Sequence, residues 1–517
     1  MVAVNWITDA DFLGQALLIL TAALCILCLR VLFRPGLHAV PGPFLAKLTD
    51  LWRLVDVAQG HAHKTHLTLH AKHGQYVRLG PNVVSVQNVE VLKTIYSIKN
   101  AYKKSAYYRV AQQMAWGKLA PTLFSTLDED YHSLIKRPVS SAYAMSNLLR
   151  FEADVDEIMK VLFCRLDDFA SQQKVCDIGK WLQFYAFDVI GKITFGKPLG
   201  FLSQAKDVGD ITESLSKAQD YVAMVGQMPW LDYLLLKNPL MRLLGGGTGA
   251  IASFAIKCLE ERLTMKLNEN ESLNDDFLHR LLIAKEKHPG IVNDRQVFQY
   301  TLSNVTAGSD TTAISLRSIL YFLLKSPHCM AALQKELSEA RRKGSLSLPV
   351  RWRESKQLPY LDAVVKEAFR LHPAVGLLLE RVVPEEGLQL PDGPLLPPGT
   401  VVGVNPWVIH RHPLFGENLE SFTPERWLQR SDESDENFKI RKSLMHSASL
   451  TFGAGPRTCI GKNISLLEIY KTIPTLLLNY EFKMNKKART WDVWNSFFVR
   501  QSNFTVNLRK LQEQNVK

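Results

Sequence analysis

The sequence predicts a mostly α protein with a small β portion, preceded by one N-terminal transmembrane helix. Three observations predict it. Between about residues 88 and 345 the pattern is mostly helical, and Gln296 to Leu324 is long and apolar enough for a buried central helix. Residues 377–404 turn extended and proline-rich, and 480–510 alternate as strands. From Phe12 to Leu29 no residue is charged. The whole chain has 517 residues, 46% hydrophobic and 22% charged, which excludes disordered, collagen-like and coiled-coil classes. Its seven cysteines are too few and too scattered for a disulfide scaffold, and an odd count leaves one unpaired. The formal charge of +12 suits nucleic acid, an anionic membrane or an acidic partner, and does not choose among them.

The first element is the anchor. The charge-free run rises roughly 27 Å as a helix, close to the ~30 Å core of a bilayer. Asp9 and Asp11 precede it and Arg30 and Arg34 follow, the reverse of a cleaved signal peptide. The arginines place everything after them on the cytosolic side. Residues 1–34 therefore read as a membrane anchor, spanning at about 12–33. Pro35-Gly36 and Pro41-Gly42-Pro43 make residues 35–43 a stiff hinge, and 44–517 is expected to be one cytosolic domain. Within it residues 44–75 read helical. Tyr76–Leu79 and Val83–Val86 then form a hairpin around Gly80-Pro81-Asn82.

Three motifs are set aside. Gly245 to Ala250 contains a GxGxxA, but no strand precedes it and no acid lies at the distance a dinucleotide loop requires, so a plain loop is expected. His61, His63, His66, His70 and His73 include an i,i+4 pair, yet Leu67 stands where a zinc protease needs glutamate, and a wetted surface helix is expected. The sequons at Asn270, Asn304, Asn463 and Asn503 are expected to carry no sugar on the cytosolic side.

The chemistry concentrates at Phe452-Gly453-Ala454-Gly455-Pro456-Arg457-Thr458-Cys459-Ile460-Gly461. Glycines on both sides of the cysteine let backbone approach a flat ligand and turn N–H groups toward a sulfur. A helical run from Asn463 would aim its positive end at a thiolate. This segment resembles the heme-binding loop of the cytochrome P450 superfamily, the heme-thiolate monooxygenases. The resemblance implies heme b with Cys459 as the axial ligand of its iron, and Phe452, Gly453, Arg457 and Gly461 at the cofactor. Other segments of the chain are similar to further landmarks of that family. Glu367-Ala368-Phe369-Arg370 on a helix and Phe422–Trp427 imply a buried structural triad of Glu367, Arg370 and Arg426. Ala307–Thr312 on the central helix resembles the oxygen-activating motif, which makes Asp310 and Thr311 the catalytic proton carriers. Where members often carry Trp-x-x-x-Arg, this chain has His132 and Lys136. They are expected to donate to heme propionates, with Arg381 a further candidate. Leu127–His132 with Arg137–Ser140 is similar to fungal pisatin demethylase-type members.

The resemblance covers about residues 36–510 and implies the cytochrome P450 fold. It implies a monooxygenase that inserts one oxygen atom of O2 into an apolar small molecule, a terpenoid or polyketide-like secondary metabolite. With the glycine run set aside, no flavin or nicotinamide site is in view, so electrons are expected from an NADPH-dependent reductase on the same membrane. The endoplasmic reticulum is the expected membrane, and nucleic acid is not an expected partner. The rivals are a heme-thiolate isomerase or dehydratase that needs no O2, and a non-catalytic membrane heme-binding protein. Substrate contacts are expected after residue 100, from Tyr221–Leu236, from the helix around Asn304, from a strand-like Val375–Leu379 and from Ser496–Phe498.

Overall fold

The computed structural model describes residues 3–99, 102–115, 118–238, 250–267, 276–485 and 490–511. The glycines Gly245–Gly249 and the sequon at Asn270 lie outside the described residues. The protein is mostly helical with small sheets. Ala3–Leu32 forms one helix. Its segment Gly14–Leu32 is long and apolar enough to cross a membrane, and none of its residues is fully buried in the rest of the protein.

The central helix runs Asp294–Lys325. Asn293 caps it by accepting from the Gln296 N–H at 3.0 Å, an acid stands in its first turn, and Pro327 starts the next helix. Ile178–Phe195 packs along it. That second helix starts where Asp177 accepts from the Lys180 N–H and stops at Gly196, whose φ of 75° only glycine adopts cheaply. It is apolar on nearly every face and buried on nearly every face, as a core helix must be. Pro359–Leu371 and Lys462–Asn479 complete the centre, and Ile211–Val225 lies over one side of it against Leu51–Ala58.

The expected hairpin is present: Tyr76–Gly80 pairs antiparallel with Val83–Val86, which pairs parallel with Val401–Gly403 and through it with Arg381–Val382. The C-terminal strands are present as Tyr480–Met484, Asp492–Asn495, Val499–Ser502 and Thr505–Lys510. Val375–Leu379 forms no strand. It is held by a single bridge from Val375 to Phe498 and by the Leu379 N–H on the Val404 carbonyl. Residues 44–75 are helical, as expected, in three helices: Phe44–Leu48, Leu51–Ala58 and Ala62–His73.

The histidine face is not wetted, contrary to the sequence expectation. On the helix Ala62–His73, His63, His66 and His70 are all buried, because distant polar groups meet them. His63 lies on the Asn495 side-chain oxygen, His66 on Asn405 and Asp56, and His70 between the Gly74 carbonyl and the Ser85 hydroxyl. Burial pushes His63 and His66 down to about 3 and His70 to about 4; it also lowers His372 to about 4 and His410 to about 3. In the unfolded chain these imidazoles take a proton near pH 6.5; in the folded chain they stay neutral until pH 4 or 3. Their contribution to stability is therefore complete above about 6.5 and drains away as pH falls toward 4. Each contributes a slope of at most about 1.4 kcal/mol per pH unit. Urea unfolding midpoints are expected to fall steeply between pH about 6.5 and 5, above the carboxylate range. A flat profile there would contradict the burial of this cluster.

Candidate functional site

The loop before the helix Lys462–Asn479 holds Cys459 in place through the chain itself. The Cys459 N–H donates to the Phe452 carbonyl at 2.8 Å, and the Phe452 ring meets Phe369 edge-on at 5.7 Å, tying the loop to the helix that carries Glu367. Gly453 and Gly455 sit at φ of 70° and 66°. At Gly455 a Cβ would lie 2.1 Å from the Tyr96 carbonyl, so that glycine is required by the fold; at Gly461 a Cβ would meet nothing. Cys459 lies deep in the protein and yet its side chain keeps accessible surface. Burial pushes its thiol up, while the backbone N–H groups of Gly461 and Lys462 and the charges of Lys462 and Lys136 pull it back. That is the donor set a thiolate ligand needs.

Around this loop positive charge accumulates. Burial, then Arg381 and Arg457, hold the Lys104 ammonium well below its ordinary value. His132 is lowered to about 3 by burial, then by Arg457, Lys136, Lys104 and Arg381. Lys136 is lowered by burial and Arg457, and donates to the Pro456 carbonyl at 2.8 Å. Lys104 lies over the rings of Tyr108 and Phe124 and donates to the Phe124 carbonyl. Arg381 lies over Tyr96 at 5.0 Å. Against these cations the described contacts set a carboxylate on one of them: Glu129 accepts from Arg457 Nε at 2.8 Å and Nη2 at 2.9 Å. Arg457 thus has a protein partner in addition to any cofactor anion, which the sequence had not suggested. A group bearing two carboxylates fits a cluster with this surplus, and a porphyrin with an iron to offer the thiol of Cys459 fits the rest.

The structural triad is assembled by the helix Pro359–Leu371 and the turn Pro424–Trp427. Glu367 is fully buried and accepts from Arg370 Nε and Nη2 at 2.9 and 2.8 Å, from Arg426 Nε at 2.9 Å, from Trp427 Nε1 at 2.9 Å and from the Thr423 N–H at 3.0 Å. The arginines turn their remaining N–H groups to the carbonyls of His410, Leu419, Phe415 and Glu417, so one carboxylate pins a whole loop.

On the central helix Ala307 is exposed and Gly308 and Thr311 half-buried, whereas Ser309, Asp310 and Thr312 are buried. The Thr311 hydroxyl donates back to the Ala307 carbonyl at 2.7 Å. Thr312 donates to Ser465 at 3.0 Å, linking the central helix to the one after Cys459. Asp310 faces Gln183 and Gln219, whose Nε2 groups donate to its two oxygens at 2.8 and 3.0 Å. Lys104, Glu129, Gln183 and Gln219 are the site residues that sequence reading missed as functional groups. Glu129 stands in the run Leu127–His132 already noted in the sequence, but nothing there assigns it a role; no short motif marks Lys104, Gln183 or Gln219, and each of the four meets the site only through the fold.

Four of the five segments expected at the substrate meet: Tyr107, Tyr108, Ala223, Leu377 and Phe497 belong to one buried cluster, with Val222, Val375, Leu379 and Phe498 packed on it. The helix around Asn304 does not join it: Asn304 is buried and accepts from the Tyr143 hydroxyl at 2.7 Å.

The family model for cytochrome P450 matches residues 41–508. The cytochrome P450 monooxygenase cicH of Emericella nidulans is 42% identical over 481 residues, 92% of this chain and 94% of that protein. A cytochrome P450 monooxygenase of Aspergillus terreus is 43% identical over 451 residues, 86% of this chain and 89% of its own length. The cytochrome P450 monooxygenase asR2 of Sarocladium schorii is 36% identical over 502 residues, 94% of each chain. The chain belongs to the cytochrome P450 family, and its enzyme class is that of a monooxygenase. Membership carries with it heme-thiolate chemistry on O2, a redox partner and a small-molecule substrate.

Proposed function

We propose that this protein inserts one oxygen atom of O2 into an apolar secondary metabolite of terpenoid or polyketide type, with electrons from an NADPH-dependent cytochrome P450 reductase. The observation that carries the reading is the site around Cys459: an accessible thiol facing backbone N–H groups at a helix start, beside the basic side chains Lys104, Lys136, Arg381 and Arg457 and the neutral imidazole of His132. Cys459 would ligate the iron of heme b, and Lys104, His132, Lys136, Arg381 and Arg457 would hold its carboxylates. The bound heme supplies O2 activation. The remaining work belongs to the chain. Its aromatic and aliphatic cluster excludes water and orients an apolar substrate. Asp310 would take up protons at the carboxylate that the Gln183 and Gln219 amides hold, and the Thr311 hydroxyl would pass them on once it leaves the Ala307 carbonyl. The apolar N-terminal helix followed by Arg30 and Arg34 supports anchoring in the endoplasmic reticulum with the catalytic part in the cytosol. The net charge of +12 suits both the anionic leaflet and an acidic reductase.

The test is Thr311→Ala. It removes one hydroxyl and little surface, so substrate affinity is expected to hold. Product formed per NADPH consumed is expected to fall by about 10², the lower end of general acid–base contributions, because water partly substitutes. Hydrogen peroxide release should rise in step. Full coupling in this variant would remove Thr311 from the relay. Activity that survives omission of the reductase would favour rearrangement of a peroxide substrate instead.

A further inference from the structure

Arg457 lies two residues before Cys459, and most of its donors are already engaged by the chain. Its Nε donates to both oxygens of Glu129, at 3.1 and 2.8 Å, and its Nη2 donates to Glu129 Oε1 at 2.9 Å. That edge is the two-pronged fork with which a guanidinium grips a carboxylate. Nη2 also turns to the Asp128 carbonyl at 3.4 Å, and Nη1 gives one N–H to the Leu123 carbonyl at 3.3 Å. A guanidinium has five N–H groups, so these contacts leave one for an anion of the cofactor.

Glu129 opens the helix Glu129–Lys136, which starts where Asp128 accepts from the Tyr131 N–H at 2.9 Å. The Arg457 side chain is 4% exposed and that of Glu129 19%, so water screens the pair only in part. The other cations of the cluster are held differently. Lys104 donates to the Phe124 carbonyl, Lys136 to the Pro456 carbonyl and Arg381 to the Glu380 carbonyl. A carbonyl orients a cation and leaves its charge in place, whereas a carboxylate offsets it. Among the described residues Arg457 is the member of this cluster whose charge a carboxylate cancels. Reduction adds one negative charge to a heme, so each uncancelled cation beside it favours the reduced form and each carboxylate opposes it.

We propose that Glu129 is a positioning residue that takes the fork of Arg457 away from the heme carboxylates and lowers the reduction potential of the heme by cancelling one positive charge beside it. Arg457 then offers the cofactor a single N–H, and Lys104, Lys136 and Arg381 carry most of the charge that holds it. The inference rests on the reading of Cys459 and its loop as the heme site.

The experiment compares the full-length, heme-loaded chain with Glu129→Gln, Glu129→Asp, Arg457→Gln and the double variant Glu129→Gln with Arg457→Gln; Glu129→Ala replaces Glu129→Gln if that variant fails to fold. One readout is the heme reduction potential from a spectroscopic redox titration, which needs no turnover. Glu129→Gln is expected to raise the ratio of reduced to oxidised heme at a fixed potential by up to about tenfold, a positive shift of up to ~59 mV for a one-electron couple. Glu129→Asp keeps the charge and should stay near the wild-type value. The other readout is the rate at which heme passes to an excess of apomyoglobin. Glu129→Gln is expected to slow it about tenfold, because the freed fork gains a heme carboxylate, and the gain should vanish in the double variant. A salt bridge that serves the fold alone predicts the reverse: faster heme loss with the potential unmoved. Either of those results in Glu129→Gln, or slower loss that persists in the double variant, would overturn the proposal. A wild-type chain whose reduced carbon monoxide complex lacks the thiolate Soret band would instead remove Cys459 as the ligand, and the inference with it.

Discussion

Glu367→Ala is expected to leave no folded, heme-bearing protein. The carboxylate is fully buried and neutralises two guanidinium groups that are themselves buried. Removing one partner of a buried pair costs about 3–5 kcal/mol, because the charge left behind has neither water nor counter-ion. Here two charges are left behind, together with the orphaned donors Trp427 Nε1 and the Thr423 N–H. A loss of roughly that size or more consumes most of the ~5–15 kcal/mol that keeps a protein folded. Glu367→Gln keeps the shape and loses the charge, and should rescue little. The check is the soluble, heme-containing fraction after expression, with denaturant midpoints where enough accumulates. Normal heme content and an unchanged midpoint in Glu367→Ala would contradict the role given to the triad.

Cys459→Ala is expected to do the opposite: keep the fold and remove the chemistry. The side chain is small and makes no ion pair, so stability should change by only about 1 kcal/mol. Carbon monoxide on the reduced wild-type protein should give the red-shifted Soret band of a thiolate ligand. The variant should lose that band, and with it reductase-dependent NADPH oxidation. Heme that stays bound with the band intact would mean that another group holds the iron.

The parts of the protein that were legible in its sequence share a property: their chemistry is local. The loop Phe452–Gly461 carries its glycines, its cysteine and the start of its helix within a few residues. The central helix announces itself by its apolar length, and its expected limits Gln296 and Leu324 lie within two residues of Asp294 and Lys325. The hairpin at Gly80-Pro81-Asn82 is set by turn chemistry alone. What was not legible depends on partners far along the chain. A face of histidines reads as wetted until Asn495, more than four hundred positions away, is seen to receive His63. Nothing distinguishes Lys104 from Lys103 in sequence; the bridge between Lys104 and Arg381 decides which one joins the cation cluster. Arg457 was expected to face only a cofactor anion, since Glu129 lies 328 residues before it. Gln183 and Gln219 are ordinary helical glutamines until the fold brings both to Asp310.

The central claim is that this chain moves one atom of O2 into a small molecule using a thiolate-bound heme and external electrons. It is tested most directly by growing a host that produces the intact chain under isotopically labelled dioxygen, beside one producing Cys459→Ala, and comparing their metabolites by mass spectrometry. The account predicts a metabolite that depends on Cys459 and carries one labelled oxygen, and that purified protein forms only with reductase and NADPH. A Cys459-dependent product whose new oxygen comes from water, or one formed without dioxygen or reductase, would contradict it.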